Sequence, residues 1–151
     1  MAISSEQVKE LRDKTGVSMM ECKKALEESG GDMAKALGVL SARAAATVGK
    51  KSDRTLAAGT VQSYIHNTGQ MGSLVLLLSE TDFVSKNEEF VALARDIAMH
   101  AAAMRPADIA ELLTQPFIKD PSKTIQDLIS GATQKFGERI EVGNMTVSTV
   151  Q

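Results

Sequence analysis

The first 42 residues hold three helix starts and two helix stops, and no other feature limits the fold so tightly. Ser4 and Gln7 have the spacing of a capping box ahead of Val8 and Leu11, and Gly16 stands where a left-handed stop belongs. Ser18 and Glu21 repeat the box before a second stretch whose Met19, Cys22 and Leu26 share one face, closed by Gly30-Gly31. Asp32 is placed to cap a third, with Met33, Ala36, Leu37 and Leu40 at helical spacing. Three helices this short bury little apolar surface, so they read as a docking head on a larger protein.

The next segment, AAATVGKKSDRTLAAG, is small, basic and weakly periodic. It suits a flexible tether or one more helix, because Ala and Lys favour helix, and we read 44–60 as a partly helical linker. Two β-rich runs, Val61–Ile65 and Ser73–Ser79, flank Asn67-Thr68-Gly69 and predict an antiparallel hairpin. Ser85 and Glu88 form a third capping box. The helix it opens should run to about Met104, lay Phe90, Leu93, Ile97, Ala101 and Met104 across the hairpin, and stop at Arg105-Pro106. ADIAELLT predicts one short helix, and Gln115–Pro121 a loop stiffened by two prolines. Thr124 should cap a last helix through about Phe136, and residues 140–150 alternate like a final strand or pair of strands. The expected fold class is therefore α+β: a three-helix module over 1–43, the linker, and over 61–151 a core of antiparallel strands packed against helices.

Composition removes several function classes. With a net charge of −2 over 151 residues, the chain lacks the basic excess by which nucleic-acid binders neutralise phosphates. A single Cys rules out an internal disulfide, and one Cys with two His cannot build a standard four-ligand zinc site without several carboxylates. The opening MAISSEQVKELRDKTG has neither a signal-peptide apolar core nor a transit pattern, and no stretch has the length of a membrane span. The reading is of a mature, soluble, cytoplasmic chain with no membrane partner.

Reaction chemistry finds few carriers. Cys22 lies on an apolar face, where a thiol is inert. His66, at the hairpin turn, has no nucleophile beside it in the pattern, and His100 falls within the apolar stripe of its helix as a hydrogen-bonded core histidine. Gly69-x-x-Gly72 precedes a strand instead of opening a helix, so it makes no phosphate cradle. Glu88-Glu89 is accounted for by the helix dipole, and Lys50, Lys51 and Arg54 by a solvated tether rather than an RNA site. No catalytic site, metal site or cofactor is expected; the chain does not read as an enzyme.

Binding features are stronger. Met20 shares a helix face with Lys23, Lys24 and Glu27, which makes it an exposed, deformable side chain of the kind partner surfaces use, although a single exposed apolar residue needs no such role. Asp82-Phe83 puts an acid and a ring between the apolar run Leu74–Leu78 and the long helix. On the plain reading Phe83 closes the core and Asp82 caps the helix; Ser85 already supplies that cap, which leaves both free to project.

A family resemblance now emerges. The run Val8–Gly16, then Met19–Glu28 and Gly30–Met33, resembles the amino-terminal helical module of bacterial elongation factor Ts, which is similar to ubiquitin-associated domains. Tyr64-Ile65-His66, Gly69, Gly72, Glu80–Val84, Asp96–His100 and Gln115–Thr124 continue the likeness in order over nearly the whole chain. The resemblance implies a guanine-nucleotide exchange factor that binds elongation factor Tu, both GDP-bound and nucleotide-free, and supports translation elongation. It implies that Arg12, Met19, Met20 and Lys23 grip the partner's nucleotide-binding domain. It implies too that Thr81, Asp82, Phe83 and Val84 push in beside the nucleotide site and disturb its magnesium ion and phosphate loop so that GDP leaves. His66 and Gly69 would hold another domain of the partner. Magnesium and nucleotide belong to that partner, so the chain itself carries no metal or cofactor and makes no direct nucleic-acid contact.

Departures from the family pattern are informative. Val17-Ser18 replaces the commoner Ala-Gly, and only ADIAELLT stands between Pro106 and Gln115, where many members carry a long helical insertion. The carboxyl end also lacks the usual basic and aromatic finish. Long members hold two related core subdomains and this chain one dimerisation-type domain, shortened; a homodimer would restore the second copy. The competing expectation is an adaptor without exchange activity, whose helical head binds a peptide or ubiquitin-like surface.

Overall fold

A computed structural model describes residues 2–150. Its elements are, in order, α1 (Ser5–Thr15), α2 (Met19–Glu28), α3 (Met33–Lys50), β1 (Ala58–Ile65), β2 (Met71–Ser79), α4 (Asp82–Ser85), α5 (Glu88–Met104), α6 (Ile109–Thr114), β3 (Pro116–Phe117), β4 (Asp120–Thr124), α7 (Ile125–Phe136) and β5 (Glu141–Thr149). The chain forms two compact units. One comprises the chain up to Ser52 with Ser130–Gly137; the other comprises Asp53–Ile129 and the chain from Glu138 onward.

In the first unit the helix boundaries follow the local signals. Ser4 and Gln7 make a reciprocal capping box, each side chain accepting the other's backbone N–H at 3.2 and 3.0 Å. Gly16 ends α1 with φ 71°, a conformation that costs glycine nothing, and its N–H bonds the Arg12 carbonyl. Ser18 and Asp32 cap α2 and α3 through the N–H groups of Glu21 and Lys35. These turns bring Val8, Leu11, Val17, Cys22, Ala25, Leu26, Ala36 and Leu40 into one apolar cluster. Arg43 ties the helices at the surface, reaching Glu21 and Glu28. Helix α3 runs on through Lys50, so the front of the expected linker is fully helical, as its Ala content allows. Met19, expected on the core face, is 43% exposed: it is the first residue of α2, where no preceding turn exists for it to pack against.

The second unit is a three-stranded antiparallel sheet, order β1-β2-β5, with α5 across one face. Its centre, β2, alternates cleanly: Ser73, Val75, Leu77 and Ser79 are buried beneath α5, while Leu74 faces away. Phe90, Ala94, Ile97, Ala98 and Ala101 are the buried side of α5, and the alanines let it come close enough for the Ser73 hydroxyl to bond the Ala98 carbonyl. Residues 141–149 form one strand, not two, with a register shift that leaves Gly143 unpaired opposite Leu76 and Leu77. A Cβ at Gly143 would lie 2.6 Å from Leu78 Cδ1, which shows how closely that leucine lies on the sheet's outer face.

Three expectations need correction here. Ser85 does not cap the long helix: Asn87 does, accepting the Glu89 N–H at 2.9 Å, and Ser85 is buried inside α4. Asn caps at least as well as Ser, and starting after it places both Glu88 and Glu89 in the dipole-favoured first turn. Gln115–Pro121 is not a plain loop but part of a β3–β4 ribbon, its prolines tolerated because they need donate no ladder bond there. Met104, the last residue of α5, is 46% exposed because the chain turns away at Arg105, which adopts φ 49° ahead of Pro106.

Candidate functional site

The corner at Glu80–Val84 is built from both of its ends. Ser79 closes β2 fully buried, its hydroxyl donating to the Thr81 carbonyl at 3.0 Å. Glu138, 57 residues further on, accepts the Thr81 N–H at 3.0 Å, the Glu80 N–H at 3.1 Å and the Thr81 hydroxyl at 2.6 Å. In return the Glu80 carboxylate accepts the Arg139 N–H at 2.6 Å and pairs with Arg54 at 3.5 Å. Arg54 is exposed yet paired with this corner, and its carbonyl also accepts from the Arg139 guanidinium. Past Thr81 the chain makes a single helical turn whose Val84 and Ser85 face the core and whose Asp82 and Phe83 face solvent. Phe83 is 91% exposed, more than any other large apolar side chain among the described residues. Covering such a ring is worth roughly 2–3 kcal/mol, so a solitary exposed Phe is a standing source of binding energy.

Elsewhere the expected residues divide. Met20 is 67% exposed on α2, with Met19 and Lys23 exposed on the same helix and Arg12 exposed on α1; Lys23 makes only a loose 3.9 Å pair with Glu27. His66 is half-buried at the hairpin turn, its Nδ1 3.2 Å from the Tyr64 hydroxyl, and Gly69 there takes φ 73° while its N–H bonds the His66 carbonyl. Val84 is buried, so within its segment it anchors rather than projects.

The candidate reactive groups are sequestered. Burial raises the Cys22 thiol above its ordinary pKa against a lowering bond from Thr15. His100 is wholly buried, and desolvation lowers its pKa despite a raising bond to Gln115. Its Nδ1 accepts the Ile118 N–H at 3.2 Å, which leaves Nε2 to donate to Gln115 Oε1 at 2.9 Å and fixes a neutral tautomer. Among the described residues no three His, Cys, Asp or Glu side chains gather as a metal cluster, and no helix is long and apolar enough to cross a membrane.

Sequence reasoning missed Glu138 and Arg139, whose local signal is a short run of charges at 138–141 and whose bonds to Glu80 and Thr81 cross 57 residues or more, and it did not connect Arg54 to this corner.

Fold and surfaces together define an α+β protein with an amino-terminal helical module and a projecting Asp-Phe corner. Comparison with known proteins gives this a family. A family model described as elongation factor TS matches residues 80–151. Elongation factor Ts of Thermodesulfovibrio yellowstonii is 42% identical over 186 aligned positions, covering 94% of this chain and 93% of that protein. Elongation factor Ts of Desulforamulus reducens is 41% identical (93% and 85%), and that of Leptospira biflexa 38% (97% and 96%). The chain belongs to the elongation factor Ts family, and with it to the factors of translation elongation. An alignment of 186 positions exceeds the 151 residues present, so that relative carries segments with no counterpart here.

Proposed function

We propose that this protein is the guanine-nucleotide exchange factor of an elongation factor Tu: it binds the GDP form, drives GDP out and holds the nucleotide-free form. The single observation that carries the mechanism is Phe83, exposed on a one-turn helix whose root is tied to the distant Glu138 carboxylate. Linkage dictates what such a projection must do. A factor that binds the empty partner more tightly than the GDP form weakens GDP binding by the same ratio. The Phe83 ring gains its desolvation only where the partner has opened to receive it, and the Asp82 carboxylate competes for polar groups that otherwise support the magnesium ion. Magnesium and GDP are the partner's throughout.

The helical head, 1–43 in this reading, contributes affinity through Met19, Met20, Lys23 and Arg12, while His66 and Gly69 offer a lesser contact on the core, 61–151. Two protomers pair through the outer face of the sheet, where Val61, Ile65 and Leu74 are exposed, and so supply the second core domain. The working compartment is the cytoplasm.

The test is release of labelled GDP from a matching elongation factor Tu. Acceleration at micromolar protein supports the reading, and none would sink it. The adaptor alternative is favoured by the segments this chain lacks relative to its relatives; it predicts recovery of other partners, and no elongation factor Tu, on an immobilised column.

A further inference from the structure

Helix α4 has four residues and no side-chain cap at Thr81, too little to hold its own direction. What holds it is the reciprocal arrangement at its root. Within the second unit Glu138 and Arg139 run past Glu80 and Thr81. Each segment bonds the other's backbone with a carboxylate: Glu138 takes the N–H groups of Glu80 and Thr81 on one oxygen and the Thr81 hydroxyl on the other, while Glu80 takes the Arg139 N–H. Such charge-assisted bonds are about twice as strong as neutral ones. The Thr81 hydroxyl donates to Glu138 and makes no cap bond to α4.

We infer that Glu138 is a positioning residue for nucleotide release: by clamping Glu80 and Thr81 it fixes the direction in which α4 presents Phe83. This rests on the exchange reading above. Glu138 touches neither GDP nor magnesium; it acts through the rigidity of the Phe83 mount, and a small misplacement of a positioned group has a large effect on rate.

The bonding pattern sets a test in which side-chain length matters more than charge. Glu138→Gln keeps the reach, its carbonyl oxygen accepting both N–H groups while its amide donates to the Thr81 hydroxyl oxygen. Glu138→Asp keeps the charge but is one methylene short. In GDP release with increasing factor, Glu138→Ala and Glu138→Asp should lower the maximal rate about tenfold with the half-saturating concentration moved less than about twofold, and Glu138→Gln should stay within about twofold of the unsubstituted protein. On a Phe83→Ala background Glu138→Ala should add little, because both act on one step. Should Glu138→Ala fail to fold, the Asp and Gln variants decide. Equal loss in Asp and Gln, a slow Gln beside a fast Asp, or a full-speed Asp variant where Phe83→Ala is slow would each overturn this inference alone. No acceleration by the unsubstituted protein would overturn the exchange reading and this inference with it.

Discussion

Phe83 and Val84 are successive residues of one helical turn and face opposite ways, the ring 91% exposed and the valine 7%. Val84 fastens the turn to the core and Phe83 stands on it unsupported, so the two should answer differently to truncation. Phe83→Ala should leave stability within about 0.5 kcal/mol, and Val84→Ala should cost about 2 kcal/mol. Denaturant unfolding of the two variants checks this; a destabilised Phe83→Ala would mean that the ring packs at home.

His100 predicts a pH dependence of stability. Its folded pKa lies below the unfolded value of about 6.5, so its contribution is complete above that pH and is lost as pH falls toward the folded pKa. Protonation would put a second N–H against the Ile118 N–H, which Nδ1 now accepts. Between pH 7.5 and 5.5 the unsubstituted protein should therefore lose stability that a His100→Gln variant, weaker at neutral pH, does not lose. Parallel unfolding curves at the two pH values would exclude the histidine as the cause.

Affinity and exchange should separate at the head. Met20 is exposed and Leu26 fully buried on the same helix. Met20→Ala should weaken partner binding by about tenfold, or about 1.4 kcal/mol, while leaving the fold and the maximal release rate intact. Leu26→Ala should instead cost about 2–5 kcal/mol of stability. Titration calorimetry beside thermal unfolding distinguishes them, and full affinity in Met20→Ala would remove this residue from the interface.

The outer sheet face offers a test of assembly. Leu74 is 51% exposed at the centre of that face, between Ser63 on β1 and Thr146 on β5. Leu74→Glu should convert a dimer to a folded monomer in sedimentation equilibrium. A monomeric unsubstituted protein would contradict pairing outright.

What could be read from the sequence follows from how far each determinant reaches. Helix caps are contacts over three or four residues, and Ser4, Ser18, Asp32 and Thr124 all act where their spacing indicates. The Ser85-Glu88 box failed because Asn87 offers an equal cap two residues later, and only burial of Ser85 decides between them. That error removed the argument for Phe83 being free without changing its outcome: the ring projects because Val84 and Ser85 occupy the inward side of a one-turn helix. The Glu80 and Glu138 clamp spans 57 residues or more and has no local signature, so the sequence displayed the projecting pair but not its mount.

The measurement nearest to the central claim is release of labelled GDP from elongation factor Tu at saturating factor, with Asp82→Ala/Phe83→Ala beside the unsubstituted protein. The exchange reading expects the maximal rate to fall about a hundredfold while the half-saturating concentration, set mainly by the head, changes less than about threefold. An unchanged maximal rate with binding alone weakened would contradict it.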